Sequence, residues 1–154
     1  MNTYPITKPE ELNAVINACD VCYVSMVDQL HQPYVLPFNF AYDGEYLYLH
    51  SGSKGKKMDI LAQNPKVCIA FSTAHELFHQ HERVACSWGM KYKSVIVYGE
   101  NHFIDDSHQK IDILNLMMKK YSGKDDYTYN DPAINNVTIF KITITNITGK
   151  QRGY

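Results

Sequence analysis

Long apolar runs are missing from this 154-residue chain. No stretch approaches the roughly 18 residues that span a bilayer as a helix, which argues against a membrane protein. The charged, apolar and small-residue layout of a secretory leader is absent too. A cytoplasmic location is therefore expected, with the four cysteines reduced. Excess charge of one sign is also lacking. The net charge of −1 gives no general grip on nucleic acid or an anionic membrane, so any anion site must be local. Walker-type spacing does not occur, which removes nucleotide hydrolysis by a P-loop. There is no internal repeat and no low-complexity segment.

What is present is ordinary globular composition, 45% hydrophobic and 20% charged. Residues 1–154 are expected to form one domain, long enough to bury a core without staples. Twelve tyrosines and six phenylalanines favour strands and flat, partly polar pockets.

Thr7-Lys-Pro-Glu10 has capping-box spacing, and Leu12, Val15, Ile16 and Cys19 follow at helical intervals. A helix over 8–19 is predicted. Residues 21–28 and 33–42 read as strands, the second interrupted by Pro37. Proline cannot donate to a ladder, so it marks an edge, a bulge or a point where the strand leaves its neighbour. Asp43-Gly44 is a hairpin turn signal, and 45–50 is the next strand. A helix is expected over 55–63, ended by Asn64-Pro65. Strands are predicted at 67–72, 84–88, 94–104 and 137–147, with a helix after Asp105-Asp106-Ser107. The stretch 74–83 is not assigned, and 122–132 reads as a polar loop. In the last strand Phe140, Ile142 and Ile144 alternate with Lys141, Thr143 and Thr145. The pattern is mainly β, an antiparallel barrel with peripheral helices.

The most informative stretch is 34–57. Two apolar strands lead into His50-Ser51-Gly52-Ser53-Lys54-Gly55-Lys56-Lys57, where glycines allow close backbone approach and a helix begins. Helix N-termini attract anions through unpaired N–H groups and the dipole. A phosphate suits this segment, as does a plain solvated basic loop.

Pro33-Tyr-Val-Leu-Pro37-Phe-Asn39, Tyr48-Leu-His50-Ser51, Gly55-Lys-Lys57-Met-Asp-Ile-Leu-Ala-Gln-Asn64-Pro65 and Cys86-Ser-Trp88-Gly-Met-Lys-Tyr92-Lys-Ser94-Val95 occur in that order. Together they resemble the flavin-binding split-barrel superfamily, whose namesake is pyridoxamine 5'-phosphate oxidase, in the branch that includes nitroimidazole-resistance proteins. The resemblance implies a six-stranded antiparallel Greek-key split barrel and a homodimer with FMN between subunits. By motif, Val35, Leu36, Pro37, Phe38 and Asn39 would line the flavin ring, partly through backbone groups. His50 and Ser51 would lie near the ring and ribityl chain, Lys56 and Lys57 at the phosphate, and Ser94 on a neighbouring strand. Where the namesake has arginines this chain has Tyr34 and Lys56, which argues against pyridoxamine-phosphate oxidation. The implied activity is reduction of a small acceptor, a nitro compound or quinone, with NAD(P)H. The alternative is a flavin-binding storage or sensing module without turnover. Haem-binding split barrels use a C-terminal histidine, and residues 148–154 contain none.

Other motifs have ordinary readings beside sharper ones. His50 either bonds a loop or moves a proton near the flavin. His75-Glu-Leu-Phe-His79 spells H-E-x-x-H, which needs a helix and a third ligand to hold zinc; no metal is expected. Cys19-Asp-Val-Cys22 lacks the strand-before-helix context of a redox site, and the cysteines read as small buried residues. The resemblance brings Cys86 closer to the flavin groove. Met117-Met118 belongs to the core or to an interface. The basic tail 148–154 either frays or reaches a partner's cofactor.

Overall fold

A computed structural model describes residues 2–154. Eight strands and four α-helices follow in the order β1 (Thr3–Ile6), α1 (Pro9–Asn17), β2 (Cys22–Val27), β3 (Pro33–Phe38), β4 (Phe40–Tyr42), β5 (Tyr46–Gly52), α2 (Lys56–Gln63), β6 (Lys66–His79), β7 (Trp88–Ile104), α3 (Ser107–Ser122), α4 (Asp131–Asn136) and β8 (Val137–Arg152). All pairings are antiparallel. No helix is long and apolar enough to cross a membrane among the described residues.

The strand path runs β3-β2-β6-β7-β8-β5-β4. Its two ends, β3 and β4, are separated in the chain by Asn39 alone. One residue spans only about 3.5 Å, so the sheet must roll until its ends meet. That closure makes the barrel. β8 holds it together: one edge pairs with β7, while the other pairs first with β5 and then with β1.

Alternate residues fill the interior. Val24, Ile69 and Val97 occupy one row across three strands, and Phe71 and Val95 the next. Phe40 meets Phe71 edge-on at 5.0 Å, and Phe38 meets Phe140 at 6.2 Å. α1 closes one end with Leu12, Val15 and Ile16. Gly149 is needed there, because a Cβ would sit 2.4 Å from Leu12 Cδ2. α3 covers a separate patch, where Met117 packs with Ala41 and Tyr48.

Several expectations change. β1 was not predicted; it is short and finds its partner at the far end of the chain. The span 33–42 is two strands because the chain exchanges β2 for β5 at Asn39. Those two differences, with the loss of the strand expected at 84–88, turn the seven strands read from the sequence into eight. Residues 84–87 are not a strand: Ala85–Ser87 form a 3-10 turn at the tip of the β6–β7 hairpin, and Trp88 opens β7. There Ser87 Oγ donates to His81 O (2.6 Å) and accepts from His81 N (3.1 Å). β6 runs on to His79, and its last residues pair only with Trp88–Lys91, forming a two-stranded arm. α4 was missed inside a polar stretch, although Asn130 caps it by accepting from Ala133 N. The capping box at Thr7 does not form; Lys8 occupies the N-cap and makes no side-chain cap bond. The cap at Asp106 does form, accepting from Gln109 N at 2.9 Å. The tail is not frayed, since β8 continues to Arg152.

Candidate functional site

The outer face of the same sheet is built by the residues that do not enter the barrel. Pro37, Tyr23, Ala70, Ile96 and Thr148 form one row across five strands. Val35, Ser25, Cys68, Tyr98 and Asn146 form the next, and Ser72, Ser94 and Lys150 a third. Val35 is 56% exposed, Tyr23 54% and Tyr98 48%. Such a contiguous, partly apolar face is the usual mark of a ligand or a partner. Val35, Pro37 and Ser94, predicted from distant parts of the chain, lie on this one face, with β2 and β6 between β3 and β7. Leu36 and Phe38 point the other way and pack on the barrel core. Only their backbone can serve a ligand. That backbone is accessible in principle because β3 ends the strand path, and Pro37 has no N–H to bond.

At the margin of this face the chain switches strands. Asn39 donates from its amide to Asp20 O at 3.5 Å. Tyr121, reaching from α3, fixes the switch: its hydroxyl accepts from Phe40 N at 2.9 Å and donates to Asp20 O at 2.8 Å. Sequence reasoning missed Tyr121, since nothing in a helical periodicity marks a hydroxyl that satisfies a strand 81 residues away. Beside it lies a mostly apolar cleft of about 390 Å³ that contains Asn39, His50, Met117, Met118 and Tyr129. His50 is the cleft's titratable imidazole. Part of the ring meets solvent, yet the surrounding protein removes enough water to push its pKa below the usual histidine value. The neutral form is thereby favoured near pH 7. In that form one ring nitrogen accepts a proton while the other donates a hydrogen bond.

The basic loop occupies the mouth of α2. Gly55 is the N-cap with φ 111°, a conformation that a side chain would strain. Met58 N bonds back to Gly55 O at 2.8 Å. The two lysines diverge. Lys56 Nζ pairs with the Asp28 carboxylate at 3.3 Å and sits 5.2 Å from the Tyr34 ring centre. Lys57 Nζ folds over the loop toward Lys54 O at 3.4 Å. Ser51 Oγ donates to Gly52 O. Asp28 is held below the usual carboxylate range, first by the Gln32 N–H and then by Lys56. Lys56 thus already has an anion, whereas the Lys57 ammonium has only a carbonyl.

The H-E-x-x-H residues lie on a strand. Four residues of strand separate His75 from His79 by roughly 13 Å, far beyond the reach of one zinc ion. His75 Nε2 is 2.7 Å from Ser72 Oγ, Glu76 pairs with Lys91 at 2.8 Å, and His79 stacks on Trp88 at 4.2 Å. Among the described residues no group of three His, Cys, Asp or Glu side chains is placed to hold a metal. Cys19 and Cys22 are buried, and burial pushes the Cys22 thiol up to about 12, which makes it inert at neutral pH. Cys68 is half-buried and Cys86 exposed, so the expectation of burial fails for these two. Cys86 lines a narrow cleft in the arm with Trp88 and Arg152.

The sequence pattern that defines the family described as pyridoxamine 5'-phosphate oxidase matches residues 8–151. The chain belongs to that family. No curated protein matches the chain. Among solved structures it is similar to a protein of Bacteroides thetaiotaomicron assigned to 5-nitroimidazole antibiotic resistance. That likeness has a TM-score of 0.87 at 38% identity, over 97% of this chain and 87% of the other. A flavocytochrome of Azotobacter vinelandii superposes with a TM-score of 0.82 at 20% identity, covering 97% and 70% of the two chains. An FAD-binding protein of Mesorhizobium loti gives 0.72 at 23%, covering 99% and 100%. The last two show the shared fold. The family resemblance carried by the motifs of residues 33–95 therefore holds, as does the mainly β split-barrel class.

Proposed function

We propose that the protein is a homodimeric flavoprotein that binds FMN against the outer face of its barrel and uses it to reduce a small acceptor. The observation that carries this reading is the outer face itself. Val35 and Pro37 of β3 and Ser94 of β7 share that face, across β2 and β6, on a surface that the chain leaves uncovered. Flavin binding in two structural relatives, named as a flavocytochrome and an FAD-binding protein, supports it.

The residues present fit such a cofactor. Val35 and Pro37 offer a flat apolar wall, and the edge of β3 offers backbone groups that a heteroaromatic ring can bond. Lys57 supplies an ammonium for a phosphate, with Lys56 beside it, and charge-assisted bonds of this kind are the stronger class. The half of the groove that one chain leaves open is assigned to a second copy, which would also cover Tyr23 and Tyr98. With FMN in place the chemistry supplied is two-electron transfer from NAD(P)H to an acceptor such as a nitro compound or quinone. His50, neutral in its cleft, holds or moves a proton at a ring nitrogen. Met117, Met118 and Tyr129 line the rest of that cleft.

Absorption tests the reading. Purified protein, or protein given FMN, should show a flavin band near ~450 nm and elute as a dimer. Anaerobic NADH or NADPH should bleach it, and a nitro compound or quinone should restore the band. A bound flavin that no nicotinamide bleaches would leave a storage or sensing module. Protein that binds neither FMN nor FAD would refute both readings.

A further inference from the structure

The strand residues next to the outer third row face the opposite way. Thr73, Lys93 and Gln151 are cross-strand neighbours on β6, β7 and β8, each one position from Ser72, Ser94 and Lys150. They line a cleft of about 250 Å³ beneath α1. Its other wall is the helix face carrying Glu11, Ala14 and Ala18, with Val15 behind them. Small side chains on that face leave the space open.

Of the polar groups of this cleft, Glu11 is paired with Lys8 at 3.4 Å, and the other three have little to do within the protein. Lys91, two residues before, is paired with Glu76 at 2.8 Å. Lys93, half-buried, is in no ion pair among the described residues. Its ammonium instead sits 5.2 Å from the centre of the Tyr154 ring, and Tyr154 is latched by donating to Ala74 O at 2.6 Å. The Thr73 hydroxyl and the Gln151 amide also lack protein partners among the described residues. Ala74 itself takes the left-handed conformation, φ 55°, where the β6 register shifts.

We propose that this cleft is a second ligand site, separate from the flavin groove, that takes a small carboxylate with a short aliphatic chain. An ammonium, a hydroxyl and an amide side by side match the acceptor oxygens of one carboxylate. Ala14, Val15 and Ala18 supply the apolar contact for the chain. At ~30 Å³ per water-sized group the volume suits a ligand of roughly eight non-hydrogen atoms. Glu11, on the first turn of α1, would exchange its exposed pairing with Lys8 (3.4 Å) for an α-ammonium, so the carboxylate comes either alone or as part of an aliphatic amino acid.

Titration of isotope-labelled protein with sodium pentanoate, L-norvaline and 1-pentanol, followed by NMR, tests this. Both carboxylates should give saturable shifts at the Thr73, Ala74, Lys93 and Gln151 amides, and pentanol should not. Lys93→Gln should weaken pentanoate binding about 10- to 150-fold. Ala14→Leu, which fills the cleft from an exposed helix position, should abolish it; if that variant misfolds, Lys93→Gln decides alone. Norvaline binding tighter than pentanoate, with the gain lost in Glu11→Gln, would identify the amino-acid form. Equal or tighter pentanoate binding would identify the simple acid. Absence of saturable shifts at these amides, or unchanged affinity in Lys93→Gln, would overturn the proposal. Displacement of pentanoate by FMN would overturn it as well, by moving the ligand to the outer groove. Apart from that displacement, none of these readouts needs FMN to bind.

Discussion

On β2, β6 and β7 neighbouring residues meet opposite fates. Val24, Ile69 and Val97 are fully enclosed, and so are Phe71 and Val95. One position away, Tyr23, Ser25, Cys68, Ala70, Ile96 and Tyr98 look outward, and the tyrosines stay about half exposed. Both faces are rich in apolar atoms, yet only the inner one is explained by the chain's own packing. The outer face retains apolar residues that the isolated chain does not need, together with a serine, a proline and an edge strand. The inner face accounts for stability and the outer is the face proposed for binding, and that contrast can be tested from either side.

The largest effect belongs inside. Phe71→Ala removes a ring that is 1% exposed and packed against Phe40, and should cost about 3–5 kcal/mol of unfolding free energy in urea denaturation. A cost below ~1 kcal/mol would mean that the barrel interior is not the source of stability.

On the binding side, Lys57→Ala should weaken FMN about 10- to 150-fold, the loss of a charge-assisted bond of roughly 1.5–3 kcal/mol. Titration showing unchanged affinity would remove Lys57 from the site. Tyr121→Phe probes the joint between the faces. It leaves Phe40 N–H without its partner and should cost ~1 kcal/mol in denaturation. A larger loss in flavin affinity than in stability would show that the strand switch at Asn39 shapes the groove.

His50 gives a smaller, pH-dependent signature. Its folded pKa lies below the ordinary value near ~6.5, so the unfolded chain binds more protons as the solution is acidified. The stability is complete above that pH and declines as pH falls toward the folded pKa. His50→Gln should flatten the decline that sets in as pH falls through about 6.5. An unchanged profile would assign the decline to other groups.

The smallest stability effect is expected at Val35. Val35→Ser should change unfolding by no more than ~0.5 kcal/mol when measured below the concentration at which copies associate. Light scattering should nevertheless show weakened self-association. A large loss in the dilute sample would place Val35 among the packing residues and erase the contrast.

Period-two alternation made much of the inner face legible. Phe140 and Ile142 were read as one face of the last strand, and both are fully buried. Pro37 pointed to an edge or a departure, and the chain shows both, with β3 ending the path and the strand exchanging partners two residues later. The motifs brought Val35, Pro37 and Ser94 into one proposed groove before any register was known. Less legible were features whose partners are distant. β1 has four residues and little pattern of its own, Tyr121 acts on Phe40, and Lys56 turns out to be paired with Asp28 across a hairpin. The H-E-x-x-H spelling misleads for a related reason: the letters say nothing of whether the spacing will be wound into a helix or drawn out into a strand.

The sequence by itself determined most of the strands, the main turns and the family, because these rest on local periodicity and on motifs in a fixed order. Which way each residue faces, and which rows align across five strands, was decided only in three dimensions. Register is set by packing between strands far apart in the chain, and a shift of one residue would exchange the two faces. The same alternation that buries Val95 turns Ser94 outward and Lys93 toward α1, so one strand serves the core, the proposed flavin groove and the proposed carboxylate cleft.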